Sequence, residues 1–390
     1  APDHQGTKNI ARQFERTLNK EGVRFLGNVT VGRDISYEEL KAAYDVLVIT
    51  IGALDDRRLG ISGEELDAVY GSGQFVAWYN GIPADRDLEP RLDGKSVAII
   101  GNGNVALDIA RLLAKTADEL AASDLCARAR TAFAAARIED IWLIGRRGPA
   151  DASFTTAELR EFGDLSRAAT RVDAAQLPTE LPAELGEEQR KLAERNIEVL
   201  RGYAQRGTQD ERPLRIHFLF NARPLAIHGD GRARELLLER TRVEHGRAVP
   251  GGESYAIAAD TVISAIGYRS TAFPGLPFDT ARGVVANDQG RVEAGVYTAG
   301  WCKRGPQGVI PANRADSLAV AELILADIAG GAPGDKPGGA LIDSLLATRG
   351  ARPIDFAGWQ KINAAEVAAA QGRPREKLVR MEDLLAAAGG

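Results

Sequence analysis

Cysteine is scarce: Cys126 and Cys302 are the only two in 390 residues, they lie far apart, and no C-x-x-C occurs. That spacing excludes a disulfide framework, a thiolate zinc site and a dithiol redox centre, and a reducing cytoplasm fits the chain best. Long apolar runs are missing as well. No stretch approaches the roughly 18 residues that a membrane span needs. The opening APDHQGTKNIARQFERTLNK has no apolar centre of the signal-peptide kind, so secretion is not expected. Nor is there an excess of basic charge: the net charge is -5 with both signs interspersed, which argues against a nucleic-acid surface. What remains is a chain with 44% hydrophobic residues, enough for ordinary cores in two or three domains.

The most informative stretch is KSVAIIGNGNVALDIARLLAK at 95–115. Ser96-Val97-Ala98-Ile99-Ile100 has the β-branched density of a buried parallel strand, and 104–113 has helical apolar spacing. Between them Gly101-Asn102-Gly103-Asn104-Val105-Ala106 forms G-x-G-x-x-A at a strand-to-helix junction. Such a turn brings backbone and a helix N-terminus against a pyrophosphate.

Around this unit the pattern predicts a helix over 8–21 ended by Gly22, a hairpin or bent strand over 23–31, and a helix over 37–43. A buried strand follows at 45–53, then an irregular connection over 54–93, helices to about 137 and a strand over 138–144. The region 151–212 reads as charged and helical, broken by Pro178 and Pro182; strands are expected at 214–220, 235–241, 260–268 and 295–301, and a helix over 312–328. A Gly/Pro linker opens the tail at 331, before helices carrying Trp359, Ile362 and Leu384. DVLVITIGA at 45–53 echoes DTVISAIGY at 260–268. Either these are two unrelated apolar strands, or the chain crosses between two domains near Gly52 and Gly267.

The coenzyme class follows from the end of the second strand. An NAD site places an acid there for the ribose 2′-hydroxyl, whereas this chain has Arg146-Arg147, suited to a 2′-phosphate. A solvated arginine pair is the other reading of those two residues. The distance from Gly101 to Arg146 exceeds the usual unit, so a helical, Ala-rich insertion is expected at 115–137. A nicotinamide coenzyme needs an acceptor, and the Gly-rich segment 300–310 hints at a flavin.

Four stretches in order, VAIIGNGNVALDIARLL, IGRRGPADASFTTAELREF, ISAIGYRS and VYTAGWCKRGPQGVIPANRADS, resemble the adrenodoxin-reductase type of ferredoxin-NADP+ reductase. The likeness runs from APDHQGTKN to GWQKINAAEVAAAQGRPREKLV. It implies an α/β fold with two Rossmann-like (doubly wound, three-layer) nucleotide-binding domains, glutathione-reductase-like in arrangement. A discontinuous FAD-binding domain would comprise 1–53 and 266–390, and an NADP-binding domain 54–265. In the family a β-α-β unit with a Gly-rich FAD turn precedes APDH; this sequence starts at APDH, so the FAD domain is expected to be incomplete at its N-terminus.

The resemblance also implies roles. Hydride would pass from NADPH to FAD and single electrons from there to a ferredoxin-type iron–sulfur protein, with the enzyme a monomer. Gly101, Asn102, Gly103 and Asn104 would hold the NADP pyrophosphate and Arg146 with Arg147 the 2′-phosphate. Glu158 would sit near the nicotinamide, Trp301, Gly308, Val309 and Ile310 beside the flavin, and Val31 at the adenine side of FAD. His4 and Asp108 would form a proton-handling pair, with Glu158 the third catalytic group. Arg190, Lys191, Arg195, Arg201 and Arg206 are candidates for a basic docking face, although Glu194 and Glu198 interleave with them. Two readings compete: a non-catalytic NADP-binding module, and the electron-input subunit of a larger oxidoreductase.

Overall fold

The computed structural model describes residues 2–207, 209–329 and 334–389. The chain divides into two compact units, one of Ala1–Lys8, Asp56–Ile266 and Glu366–Arg380, the other of Asn9–Asp55, Gly267–Ala365 and Met381–Gly390. The chain therefore crosses between units within a few residues of Gly52 and at Gly267. Two segments differ from the boundaries read from sequence: 1–8 and 366–380 belong with the 56–266 unit. Charge explains both. Asp3 pairs with Arg111 and Lys115, Arg130 with Glu376, and Lys377 with Asp124.

The first unit is built on a six-stranded parallel sheet in the spatial order Val69–Gly71, Thr261–Ser264, Ser96–Ile100, Asp140–Ile144, Leu214–Leu219 and Ala168–Val172. Ser96–Ile100 is buried along its whole length, as a central parallel strand covered on both faces must be. Asp260 Oδ2 fixes its start by accepting from the amides of Lys95 and Ser96 at 2.9 and 3.2 Å. Helix Asn104–Ala114 buries Leu107, Ile109, Ala110, Leu112 and Leu113, and Ala106 is fully buried, the small residue that close helix–strand packing needs. The expected insertion is present as two short helices, Ala117–Leu120 and Ala127–Ala135.

Several elements escaped the sequence pattern. The supposed irregular stretch 54–93 holds the edge strand Val69–Gly71 and helix Ser72–Tyr79. That helix is capped from a distance: Asp56 accepts from the amides of Gly73 and Gln74 at 2.8 and 3.2 Å. The charged region 151–212 contains the strand Ala168–Val172, and the expected strand Glu235–Glu244 lies in the middle of an antiparallel ribbon between two strands the pattern missed, Ala222–His228 and Arg247–Ala258.

In the second unit Leu47–Ile49 pairs in parallel with Val296–Thr298, which pairs antiparallel with Arg291–Glu293. Helix Tyr37–Ala43 begins with a capping box between Ser36 and Glu39, and helix Ile310–Ile328 follows the Gly-rich segment. The N-terminal helix is shorter than its pattern, a 3₁₀ turn Gln5–Ile10 leading into Ala11–Leu18. No hairpin forms at 23–31: Asn28 has φ 56° and the segment pairs only through single bridges, Gly27 with Ile354 and Val31 with Ile35. The linker expected from 331 lies partly outside the described residues. Among the described residues no helix is long and apolar enough to cross a membrane.

Ile99 is fully buried at the centre of the parallel sheet, opposite Leu143 and Ile263. Ile99→Ala is expected to cost roughly 2–5 kcal/mol, read as a lower urea midpoint; an unchanged midpoint would remove this strand from the load the fold carries.

Candidate functional site

The turn after Ser96–Ile100 is shaped by its backbone. Gly101 has φ 144°, and a Cβ there would lie 2.2 Å from the Ala265 carbonyl oxygen, so no other residue fits. Gly103 is the N-cap of helix Asn104–Ala114 and no side chain caps it. A Cβ on Gly103 would meet nothing of the protein nearer than Ser153 Oγ at 3.4 Å, so this side of the turn is open. Open backbone below an uncapped helix N-terminus fits a pyrophosphate. The asparagine side chains brace the turn: Asn104 Oδ1 accepts from the Thr155 amide at 2.8 Å, and the Asn102 amide packs where a Cβ on Gly145 would be, 1.7 Å from its Nδ2. The Asn102 carbonyl accepts from Ser153 N and Oγ at 2.9 and 3.0 Å.

Arg146 and Arg147 follow strand Asp140–Ile144. Arg146 is exposed and has no ion pair among the described residues; Arg147 Nη1 lies 3.3 Å from Asp151 and stays 42% exposed. Burial pushes the Asp151 carboxyl above its ordinary value, against the pull of Arg147.

Seven residues further along the helix from Asn104 stands the largest fully buried side chain of the unit, Arg111. Its Nε and Nη2 reach the two oxygens of Asp3 at 3.1 Å each; Nη2 also reaches Asp108 at 2.7 Å, and Nη1 reaches Glu158 at 2.7 Å and Glu161 at 2.9 Å. Asp108 comes from the same helix face, one turn earlier. Glu158 is in the first turn of helix Thr156–Arg160, which Thr155 caps, and Glu161 opens the 3₁₀ turn that follows. His4 Nε2 lies 3.0 and 3.1 Å from the oxygens of Glu161, and Nδ1 3.7 Å from Glu158. Lys115 Nζ adds a second cation at 2.6 Å from Asp3.

The structure thus brings His4, Asp108 and Glu158 together, with one polar atom of each within 4.8 Å of the others. The imidazole is bonded most closely to Glu161, a residue the sequence reading did not single out. It also passed over Asp3 and Arg111. The signal was available: D-x-x-R at 108–111 and E-x-x-E at 158–161 put each pair on one helical face, and Asp3 adjoins His4. The environment separates the acids. Burial alone would raise Asp3, but hydrogen bonds and charge from Arg111 and Lys115 hold its carboxyl well below the usual range. Burial pushes Asp108 up; the charge of Glu158 adds to this and Arg111 opposes it. Although burial disfavours its charge, Arg111 is held more firmly protonated than usual by Asp3 and its fellow acids.

In the second unit Trp301 Nε1 donates to the Gly308 carbonyl at 3.3 Å and its ring stacks on Tyr268, centroids 6.5 Å apart, closing the 301–308 segment into a loop. Val309 is the N-cap of helix Ile310–Ile328 without a side-chain cap, and Val309 and Ile310 are 56% and 44% exposed. An uncapped helix start beside exposed apolar side chains fits a flavin nucleotide, which carries both phosphates and a flat ring. Val31 packs with Ile35, Ala43, Ile342 and Leu346 in a small apolar cluster. The basic residues of helix Glu187–Gly207 are anchored locally: Arg190 to Pro182 O, Lys191 to Glu187, Arg195 to Lys191 O, Arg201 to Pro178 O, and Arg206 over the Tyr203 ring.

No family model matches the chain. It is 38% identical to the human mitochondrial NADPH:adrenodoxin oxidoreductase over a 404-residue alignment covering 99% of this chain and 82% of the relative. It is 38% identical to the NADPH-ferredoxin reductase FprA of Mycobacterium leprae, covering 99% of this chain and 87% of that one. Among solved structures it superposes on Mycobacterium tuberculosis FprA in complex with NADPH with a TM-score of 0.94, at 36% identity, over 100% of this chain and 88% of that chain.

The raised Asp108 value makes a stability prediction. The folded state binds this proton more tightly than the unfolded chain does, so Asp108 favours folding below the ordinary Asp value of about 3.9 and loses that contribution as pH rises through its folded value. Asn mimics the protonated form at every pH. Calorimetry should show Asp108→Asn melting above the wild type at neutral pH, with the gain vanishing toward about pH 4; a variant that melts lower at neutral pH contradicts the assignment.

Proposed function

The chain belongs to the family of NADPH:adrenodoxin oxidoreductases and NADPH-ferredoxin reductases, and from that premise we propose that it carries electrons from NADPH, through a bound FAD, to a ferredoxin-type iron–sulfur protein. We assign NADP binding to 54–265 and FAD binding to 1–53 with 266–390. Bound FAD supplies the exchange between a two-electron donor and a one-electron acceptor. The chain's own residues do the rest. The backbone of 101–104 and the free end of helix Asn104–Ala114 take the coenzyme pyrophosphate, and Arg146 with Arg147 takes the 2′-phosphate. At about 1.5–3 kcal/mol per charged hydrogen bond, each guanidinium contact favours NADPH over NADH by about tenfold to a hundredfold. Glu158 orients toward the nicotinamide end, His4 Nε2 is hydrogen-bonded to the Glu161 carboxylate, and Asp108, whose carboxyl burial pushes above its ordinary value, is the neighbouring acid for proton handling. The Trp301–Gly308 loop and the backbone of Val309 and Ile310 hold the flavin side, with Val31 toward the adenine of FAD.

The observation that carries this reading is the exposed Arg146, without an ion pair among the described residues, with Arg147 beside an uncapped helix N-terminus, in a chain of this family. Both cysteines are free and buried, which suits a reducing compartment, and we place the protein in the cytoplasm. The test is anaerobic mixing of FAD-loaded protein with NADPH or NADH. NADPH should bleach the flavin band at concentrations where NADH leaves it intact, and Arg146→Ala/Arg147→Ala should weaken NADPH binding about a hundredfold or more with NADH unchanged. Equal responses to the two coenzymes, before and after neutralising the arginines, would overturn it.

A further inference from the structure

The antiparallel ribbon Ala222–His228, Glu235–Glu244 and Arg247–Ala258 stands outside the parallel sheet, and nothing above gives it a task. It meets the coenzyme side of the unit at the turn that carries the arginine pair. Three consecutive carbonyls of that turn are taken by the ribbon: Gly145 O accepts from Ala222 N at 3.0 Å, Arg146 O from Thr241 Oγ1 at 2.7 Å, and Arg147 O from Asn221 N at 3.1 Å. The two donors on the arginine carbonyls belong to one bonded pair, because Thr241 N donates to Asn221 O at 2.8 Å. Asn221 sits where the chain turns from strand Leu214–Leu219 into the ribbon, with φ 52°. Thr241 is 8% exposed, so its hydroxyl bond is shielded from water.

The backbone beneath the arginines is clamped while the guanidinium groups are not. Arg146 is exposed, and Arg147 touches only Asp151 among the described residues. A cation pair on a fixed turn can meet an anion without the ordering cost that a loose turn would bring. Of the three ribbon donors, Thr241 supplies the only side chain; the other two are amides that any residue provides. Valine has the same shape and the same strand preference but no hydroxyl.

We propose that Thr241 is a specificity-determining positioning residue, whose hydroxyl sets the Arg146–Arg147 turn and so favours ligands that carry a 2′-phosphate. This rests on the reading that those arginines hold the 2′-phosphate. Thr241 contacts the turn carbonyl and acts through it. Its loss therefore weakens 2′-phosphorylated ligands and spares the contacts made at 101–104.

The experiment is calorimetric titration of the full chain with 2′-phospho-ADP-ribose and with ADP-ribose, which share the pyrophosphate and carry no nicotinamide. Thr241→Val should weaken the first about three- to tenfold and the second by less than about twofold. Thr241→Ser, which keeps the hydroxyl, should restore wild-type discrimination. If Thr241→Val does not fold, Thr241→Ala serves as the hydroxyl-free variant, with Thr241→Ser again as its control. Equal weakening of both ligands, or no weakening of either, overturns the role of Thr241. The premise is checked separately with Arg146→Ala/Arg147→Ala: discrimination should collapse there. If it persists, the 2′-phosphate reading falls; if it collapses while Thr241→Val is silent, only the ribbon latch falls.

Discussion

A guanidinium with no exposure to solvent persists only among opposite charges, and Arg111 meets four carboxylates, those of Asp3, Asp108, Glu158 and Glu161. This cluster ties two separate stretches of chain to one helix: the N-terminal segment through Asp3 and the 156–163 turns through Glu158 and Glu161, with His4 bonded to Glu161 joining the two to each other. Within the cluster Asp108 is the acid that burial pushes above its ordinary value, with the charge of Arg111 opposing the shift. The same helix presents its free N-terminus to the open glycine turn, about 10 Å of helix axis away from Arg111. The helix thus links the open glycine turn at its N-terminus to the buried cluster of acids around Arg111.

Around the glycine turn the flanking carbonyls are held by neighbours, while the start of helix Asn104–Ala114 has no side-chain cap and Arg146 has no ion pair among the described residues. Ser153 and Thr155 brace the turn through Asn102 and Asn104, the Ile144 carbonyl accepts from Gly101 N at 2.8 Å, and the ribbon holds the carbonyls of 145–147. Binding then costs little rearrangement, because the groups that must move are long side chains at the surface. Asn104 Oδ1 accepts from the Thr155 amide and the Asn102 side chain packs against Gly145.

How much of this was legible in the sequence follows from how local each feature is. Strand Ser96–Ile100, helix Asn104–Ala114 and the glycine turn are encoded within one short stretch, and the two unit crossings show as a repeated apolar pattern. Helix Ser72–Tyr79 was not legible because its cap comes from Asp56, and strand Ala168–Val172 because five residues in a charged region give no alternation to read. Arg111 was not singled out: D-x-x-R at 108–111 puts Asp108 beside it, but only folding brings Asp3 to it across more than a hundred positions of sequence. His4 and Asp108 were singled out through family resemblance; E-x-x-E at 158–161 places Glu161 on the face of Glu158, but only folding makes it the nearest partner of the imidazole.

The central claim is that Arg111 holds this cluster together by charge. Its most direct test is the difference in unfolding free energy between the wild type and Arg111→Met, followed from pH 7 down to pH 2. At neutral pH the variant leaves four carboxylates without their buried cation, and the account predicts a loss of about 3–5 kcal/mol. The Asp3 contribution is present above the ordinary Asp value of about 3.9 and fades as pH falls through its lower folded value, so the gap should narrow toward the acid end as the acids take up protons. A gap that is small at neutral pH, or that does not change with pH, would contradict the account.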